Sequence, residues 1–600
     1  MEKTLERILL SVQNPARYIG GETNTPTIDP NARVKFCVLS PELYEVGMSD
    51  IKFKTIYHKV NDRKGNACER CFAPWLDMAS AIKKNGIKLF SLESKRPLDA
   101  FDVIGVKLSV PADYTTALYC LDLGGVPVEQ SKRTSSHPLV FGWGDACVNA
   151  EVVSAFLDFV ILGDAEEVVL PVIDCIKSAQ TNKFSREQTL AELSKLQSVY
   201  VPTITMPKYD KHGKIDGFTT PKIKKAVAVD LDRCYYPSML QVPNIKCIQE
   251  CAGLEPIRGC TRGCRFCMHG FISRPIRERR VSVLSSAIMT QVTTMGVKDI
   301  YLGSRCFGDY TRLSALMKEV KDVADEKDAR ILIPSFEGAE EYSDFVRLES
   351  KDTIALTIEA GTETLRNKIN KVLSNARIDE ALVKIFGAGY HNIKINFMIG
   401  LPFETGADLM GIVETVKSIK SLYRKHKKSS KAVYITCTIA NFVPKPFTPF
   451  AWCESITPIE AEKRFKFVKK SLKGLGVRVK LYSPEYSAVE SILSRGDRKV
   501  SQAIVLAYKC GAVFDKNPKL FNFEAYEKAF KIAKVEINTE LSRRDTNVIQ
   551  PWENADMMVS RDYLLAEYEK AKKGIITPDC RMGCKACGLS DKGVCKHGNL

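Results

Sequence analysis

At 600 residues the chain is too long for one compact domain, and at roughly 150 residues per domain it holds two to four. Hydrophobic residues at 45% and charged residues at 26% are globular averages, which excludes a disordered, collagen-like or coiled-coil chain. Lys and Arg outnumber Asp and Glu by 88 to 71, and the net +17 suits either an anionic partner such as nucleic acid or a Lys-rich background.

In chain order, residues 1–32 form an N-terminal extension whose start, MEKTLERILLSV, carries Glu2 and Glu6 where a secretory signal needs a basic end and an apolar core. No run of 18 uninterrupted apolar residues follows, so a cytoplasmic protein without membrane contact is expected. VKFCVLS (34–40), DAFDVIGVK (99–107), PLVFGW (138–143) and LDFVILG (157–163) read as short apolar strands. The segments 75–85 and 114–122 have helical spacing, which predicts a parallel α/β domain over 33–180. Residues 181–245 are polar and rich in turn signals, and read as a connecting region with little core of its own.

From 246 to 480 the strand-like runs DIYLGS, ARILIPSF, DTIALTIEAG, NIKINFMIGLP and AVYITCTIANF recur with amphipathic helices between them. Parallel neighbours need such crossovers, so a full or partial β/α barrel is predicted, with its chemistry at the C-terminal ends of the strands. Residues 481–570 read as a helical region and 571–600 as a cysteine-rich tail.

Most of the twenty cysteines are scattered, as at Cys37, Cys120, Cys175 and Cys437, and read as small buried hydrophobes. Two groups differ. EPIRGCTRGCRFCMHGFISRP (255–275) spaces Cys260, Cys264 and Cys267 as C-x3-C-x2-C, with Gly259 and Gly263 to fold the loop tightly. Only His269 offers a fourth protein ligand at ordinary zinc spacing, and three soft thiolates suit an iron–sulfur cluster with one iron left open. The tail, TPDCRMGCKACGLSDKGVCKHGNL, spaces Cys580, Cys584, Cys587 and Cys595 as C-x3-C-x2-C-x7-C, with His597 as an alternative ligand. That quartet suits zinc or a second iron–sulfur cluster equally.

The first group, with Phe266 just before its third cysteine and a run of β/α units after it, resembles the signature loop of the radical S-adenosylmethionine (SAM) superfamily. The resemblance implies that Cys260, Cys264 and Cys267 hold a 4Fe-4S cluster whose open iron chelates SAM. An electron from a reductant such as flavodoxin or ferredoxin then cleaves SAM to methionine and a 5′-deoxyadenosyl radical, which takes hydrogen from a substrate. It also implies cofactor contacts at Phe266, at the strand ends Ser304, Ser335 and Glu359, at Gly361 and at Gly400 in the Gly400-Leu401-Pro402 turn. One departure is LGSRCFGD after the second strand, where many relatives carry GGE for the SAM amino group.

PARYIGGE (15–22), YEVGMSD (44–50), ERCFAPW (69–75), LFSLES (89–94), GDAEE (163–167), FVPKPFTPFAW (442–452) and SRGDRK (494–499) extend the resemblance over nearly the whole chain. They resemble a largely uncharacterised branch with a Rossmann-like, cobalamin-binding-like N-terminal domain. Cobalamin itself is not favoured, because the first loop, SPELYEVGMSD, lacks the histidine of D-x-H-x-x-G. His58 in TIYHKV reads as a helix-face residue.

Arg258, Arg262, Arg265, Arg274, Arg277, Arg279 and Arg280 surround the loop, either to steer an anion and raise a cluster's potential or as a solvated face with ion pairs. The run Val416–Lys431, with seven basic residues, reads as the exposed end of a barrel helix or as a phosphate contact. An RNA or other macromolecular substrate extends from the +17 charge. The competing reading is a non-catalytic metal-binding, nucleic-acid-binding protein with zinc or structural clusters at both groups.

Overall fold

The computed structural model describes residues 2–600 except 238, 249–251, 297, 333–352, 429 and 596–600. The N-terminal domain is built on a six-stranded sheet. Five strands run parallel: Lys35–Ser40, Ala67–Phe72, Val103–Lys107, Leu139–Trp143 and Phe159–Ile161. Their spatial order is 2-1-3-4-5, a doubly wound arrangement in which the order reverses beside the first strand. Helices Ile51–Asn61 and Leu76–Lys84 cross over on the way, and every residue of strand Leu139–Trp143 is buried, as a strand covered on both faces requires.

One strand lies where the sequence reading named none, and one expected border shifts. The strand Ala67–Phe72 (ACERCF) is fully buried although its centre is Glu69-Arg70. Its charge is accommodated because Arg70 pairs with Glu22 at 2.8 Å and Glu93 at 2.6 Å. The expected border at residue 180 is crossed as well. Helix Arg186–Leu193 precedes a sixth strand, Val199–Tyr200, which pairs antiparallel with Phe159–Ile161. Further on, Ile223–Lys224 pairs with Ala555–Asp556 near the C-terminus, so the segment read as a connector stitches the sheet domain to the end of the chain.

Among the described residues the second half contains two parallel sheets. The first takes Ala252–Leu254, Asp299–Leu302 and Arg330–Leu332 in sequential order, and the second takes Thr353–Glu359, Asn392–Ile399, Tyr434–Asn441 and Val477–Leu481. Long helices Val281–Met295, Leu313–Lys327, Asn375–Gly387 and Gly406–His426 return between strands, the β/α repeat of a barrel. The strands alternate, as in Asn392–Ile399 where Ile393, Ile395, Phe397 and Ile399 are buried against the helices' Ile385, Ile412 and Val416. Helices Pro484–Arg495, Arg498–Lys509, Phe523–Ala533 and Arg561–Lys573 then pack back on the sheet domain, sharing its core through Ile492, Ile504, Phe530 and Leu564.

No helix among the described residues is long and apolar enough to cross a membrane.

Candidate active site

The loop of the first cysteine group is closed at its ends by a two-residue antiparallel pairing of Ile257–Arg258 with Arg277–Glu278. Inside it the backbone turns at Gly259 (φ 93°) and Gly263 (φ 69°). A Cβ on Gly259 would lie 2.6 Å from the Pro275 carbonyl and 2.7 Å from that of Ser273, so only glycine fits. The Cys267 N–H donates to the Cys264 carbonyl at 3.0 Å, and the short helix His269–Ile272 follows. Cys264 is buried; Cys260 and Cys267 are half-buried.

Neither expectation for the loop's arginines describes them as a group. Six are buried or largely so and act as cross-links. Arg258 meets Glu255, Asp164 and Glu166 at 2.6, 3.0 and 2.5 Å, and Arg277 meets Asp164 at 2.6 Å, tying the loop to the sheet domain. Arg265, fully buried, pairs with Glu567 at 3.1 Å and donates to the Lys368 and Ile575 carbonyls. Arg262 pairs with Asp309 at 2.6 Å, Arg274 stacks on Phe271 and Tyr563, and Arg279 donates to the Leu231 carbonyl. Arg280 alone is mostly exposed, paired with Asp232 at 2.7 Å. A glycine-turned loop wedged between three regions has few regular backbone partners, and the five N–H donors of each guanidinium satisfy several acceptors at once. Buried Lys225 does the same, donating to the Ile272 and Arg274 carbonyls.

The loop has two open faces. On one, Phe266, Cys267 and His269 line a cavity of about 340 Å³. Its other walls are Pro111 and Asp145, after the third and fourth strands of the sheet domain; Met398 and Asn441, at barrel strand ends; and Lys445 and Glu490. In parallel α/β sheets ligands bind at such C-terminal strand ends. Lys445 and Glu490 pair at 2.5 Å. Asn149 and Asn441 are buried and line the cavity, and their enclosed amide oxygens accept no hydrogen bond among the described residues. On the other face, Cys260 lines a cleft of about 30 Å³ together with Arg274 and all four tail cysteines, Cys580, Cys584, Cys587 and Cys595.

The predicted site residues divide accordingly. Phe266 packs beside Leu401, Phe442 and Met398 at the cavity wall. Glu359 ends its strand at a bulge with φ 72°, a left-handed backbone that a non-glycine residue rarely holds. Ser304 is turned to the loop instead, its hydroxyl donating to the Ile257 carbonyl at 2.8 Å. Gly361 does not reserve space for a ligand: a Cβ there would lie 2.2 Å from the Asp408 carbonyl and 2.5 Å from the Ile412 nitrogen, so it seats helix Gly406–His426 against its strand. Gly400 (φ 73°) faces Ile456, and Ser335 lies outside the described residues, as does His597. His269 has its Nδ1 2.8 Å from the Ser273 hydroxyl, and burial, then Arg305, pushes its imidazole down to about 4.

Sequence reasoning missed Cys306, Arg305, Asn149 and Asn441. The Cys306 thiol donates to the Gly259 carbonyl at 2.6 Å, and its sulfur lies within 4.8 Å of Cys260 Sγ and an Asp309 oxygen. It stands in LGSRCFGD, the segment that departs from the family pattern. The basic run 416–431 turns Val416, Ile419 and Tyr423 inward and its lysines outward, where Lys417 pairs with Glu414 and Lys420 donates to the Leu475 carbonyl.

Residues 254–416 match the radical SAM superfamily domain, and residues 52–202 match the domain described as the N-terminal domain of radical SAM proteins. The chain belongs to the radical SAM superfamily and is an enzyme of that class. It is 25% identical over 430 residues to the uncharacterised protein MJ0966 of Methanocaldococcus jannaschii, covering 70% of this chain and 84% of that one. Structures of the cobalamin-dependent S-adenosylmethionine radical enzyme OxsB, with aqua-cobalamin alone and with aqua-cobalamin and S-adenosylmethionine, align over 96% of this chain and 87% of theirs. That alignment has a TM-score of 0.45 at 13% identity.

Proposed function

We propose that the chain holds a 4Fe-4S cluster on Cys260, Cys264 and Cys267 and uses it to cleave SAM reductively in the 340 Å³ cavity. The observation that carries this reading is the placing of Cys267 and Phe266 on the cavity wall at the C-terminal ends of parallel strands, with the two other thiols on the same glycine-turned loop. The donor set fits the group: three soft thiols on one loop whose turns a Cβ would fill, with the Cys306 thiol beside Cys260 as a further sulfur and His269, held through Nδ1 by Ser273, on the same wall. Bound there, the cluster supplies the electron that splits SAM into methionine and a 5′-deoxyadenosyl radical able to take a substrate hydrogen.

The chain's own residues do the rest. Phe266 and Phe442 wall the cavity with apolar surface that keeps water from a radical. Glu359, in its strained turn, is the proposed acceptor for SAM hydroxyls, and Gly400 lets the following turn pass beside the adenine. The amide of Asn441, whose enclosed oxygen accepts no hydrogen bond among the described residues, is the proposed acceptor for an N–H or O–H group of whatever enters, reached by a turn of its side chain. Cys580, Cys584, Cys587 and Cys595 are proposed ligands of a second centre, iron–sulfur or zinc. Cobalamin is not part of this reading, since the loop after the first strand carries no histidine.

Anaerobic reconstitution with iron and sulfide tests it. A cluster reducible by dithionite that turns SAM into 5′-deoxyadenosine, both lost in Cys264→Ala, is the expected result. Zinc at that loop with no SAM cleavage overturns it.

A further inference from the structure

We infer that the four tail thiols hold a thiophilic metal centre whose occupancy locks the loop of Cys260, Cys264 and Cys267, so that the first site keeps its iron only while the second is filled. This rests on the reading of that loop as the cluster site and adds a regulation to it.

The support is a seam of hydrogen bonds between segments more than 300 residues apart. The Thr261 hydroxyl donates to Asp579 at 2.6 Å, and the Cys580 N–H donates to the Thr261 carbonyl at 3.4 Å. Asn370 is the hub: its amide nitrogen donates to the carbonyls of Arg262 (3.0 Å), Gly263 (3.2 Å) and Thr577 (3.1 Å), and its oxygen accepts from the Thr577 N–H at 2.8 Å. Arg581 donates to the Asp309 carbonyl at 2.6 Å, while Asp309 itself holds Arg262. Residues 575–581 therefore brace the loop directly at Thr261 and Arg265, and through Asn370 at Arg262 and Gly263.

Beyond Cys580 the tail is held at separate points: Arg581 on Asp309 and Asp579, Leu589 buried in the sheet-domain core, and Lys592 paired with Asp556 at 2.7 Å. Cys584 is exposed, and the next anchor after Arg581 is the Cys587 carbonyl, which accepts from the Ser560 N–H at 2.9 Å, beside buried Leu589. Gly583, Ala586 and Gly588 all have positive φ, and the Ala586 N–H points at Cys584 Sγ at 3.4 Å, the kind of donor that stabilises a metal-bound thiolate. All four tail cysteines, together with Cys260, line one 30 Å³ cleft. A metal there adds a cross-link to this segment, and its binding free energy adds to the ordering of whatever the segment braces.

The test uses the full chain, reconstituted without oxygen, and reads iron, zinc and sulfide per chain and the rate of iron release to a ferrous chelator. The quadruple variant Cys580→Ala, Cys584→Ala, Cys587→Ala, Cys595→Ala is expected to lose its tail metal and to release loop iron about tenfold faster. Iron with sulfide lost identifies a cluster in the tail, and zinc lost identifies a zinc centre. Asn370→Ala, which removes no thiol and cuts the hub, is expected to keep the tail metal and still release loop iron faster. Unchanged release in both variants, or unchanged metal content in the quadruple variant, overturns the coupling while leaving the proposed function intact. Cys264→Ala should keep the tail metal. Absence of loop iron in the unaltered protein sinks the function and the coupling together.

Discussion

The loop of Cys260 to Cys267 puts Cys267 on the wall of a cavity of about 340 Å³ shared by three regions of the chain, and Cys260 on the wall of a cleft of about 30 Å³ closed by the tail. The cavity face keeps open volume and two amide oxygens without partners; on the tail face nearly every polar group is spent on the chain's own hydrogen bonds. Volume with unmet hydrogen bonds marks where a foreign molecule enters, and a filled seam marks where the protein holds itself. Both faces rest on one support, the buried pair Arg265–Glu567, which joins the loop to helix Arg561–Lys573.

That shared support gives the largest expected effect. Glu567→Leu strands the Arg265 guanidinium without a carboxylate, and removing one partner of a buried ion pair costs about 3–5 kcal/mol. Denaturant unfolding should register that loss, and reconstituted iron should fall with it. Wild-type stability in this variant would mean that the two faces do not share a foundation. Gly259→Ala comes next: with φ at 93° and carbonyls 2.6 and 2.7 Å from the new methyl, it should cost about 1–3 kcal/mol and lower iron content, since the backbone must shift next to Cys260. Full iron loading in Gly259→Ala would show that the loop tolerates another turn.

A smaller effect lies in the sheet domain, clear of both faces. Burial holds the His58 imidazole down to about 4, whereas an exposed histidine titrates near 6.5. The unfolded chain therefore takes up the proton first. Stability is fully present above about 6.5 and drains as pH falls toward 4, by about 2 kcal/mol at pH 5. His58→Leu should flatten that slope without changing iron release from the loop. Parallel changes in both would tie the sheet domain to the cluster face more tightly than the geometry does.

Much of this was legible in the sequence because the signals were local. The glycine and cysteine spacing of the loop, the alternating barrel strands and the tail quartet each sit within a few residues of one another. What was not legible depends on partners far along the chain. Strand Ala67–Phe72 hid behind Glu69 and Arg70, whose charges are neutralised from Glu22, Glu93 and the Ser91 and Ser94 hydroxyls. The arginines of the loop looked like a basic surface because their acceptors are mostly backbone carbonyls and carboxylates from other regions. Gly361 looked like a ligand glycine because the helix it seats, through Gly411, begins 45 residues later.

The cavity face yields the smallest stability change and the sharpest separation of holding from function. Asn441 ends the strand Tyr434–Asn441 with its amide oxygen buried and unmatched, and Asn149 repeats the pattern from the sheet domain, where its nitrogen donates to the Ser494 and Gly496 carbonyls. A buried acceptor left without a donor costs about 1–3 kcal/mol, so Asn441→Leu removes a cost as well as a polar group and should leave stability unchanged or raise it by about 1 kcal/mol. If a bound molecule supplies the missing donor, the same change must weaken SAM binding or slow 5′-deoxyadenosine formation in a protein that melts normally. A normal rate at normal stability would mean that the oxygen faces no ligand, and the contrast between the open face and the filled one would then rest on volume alone.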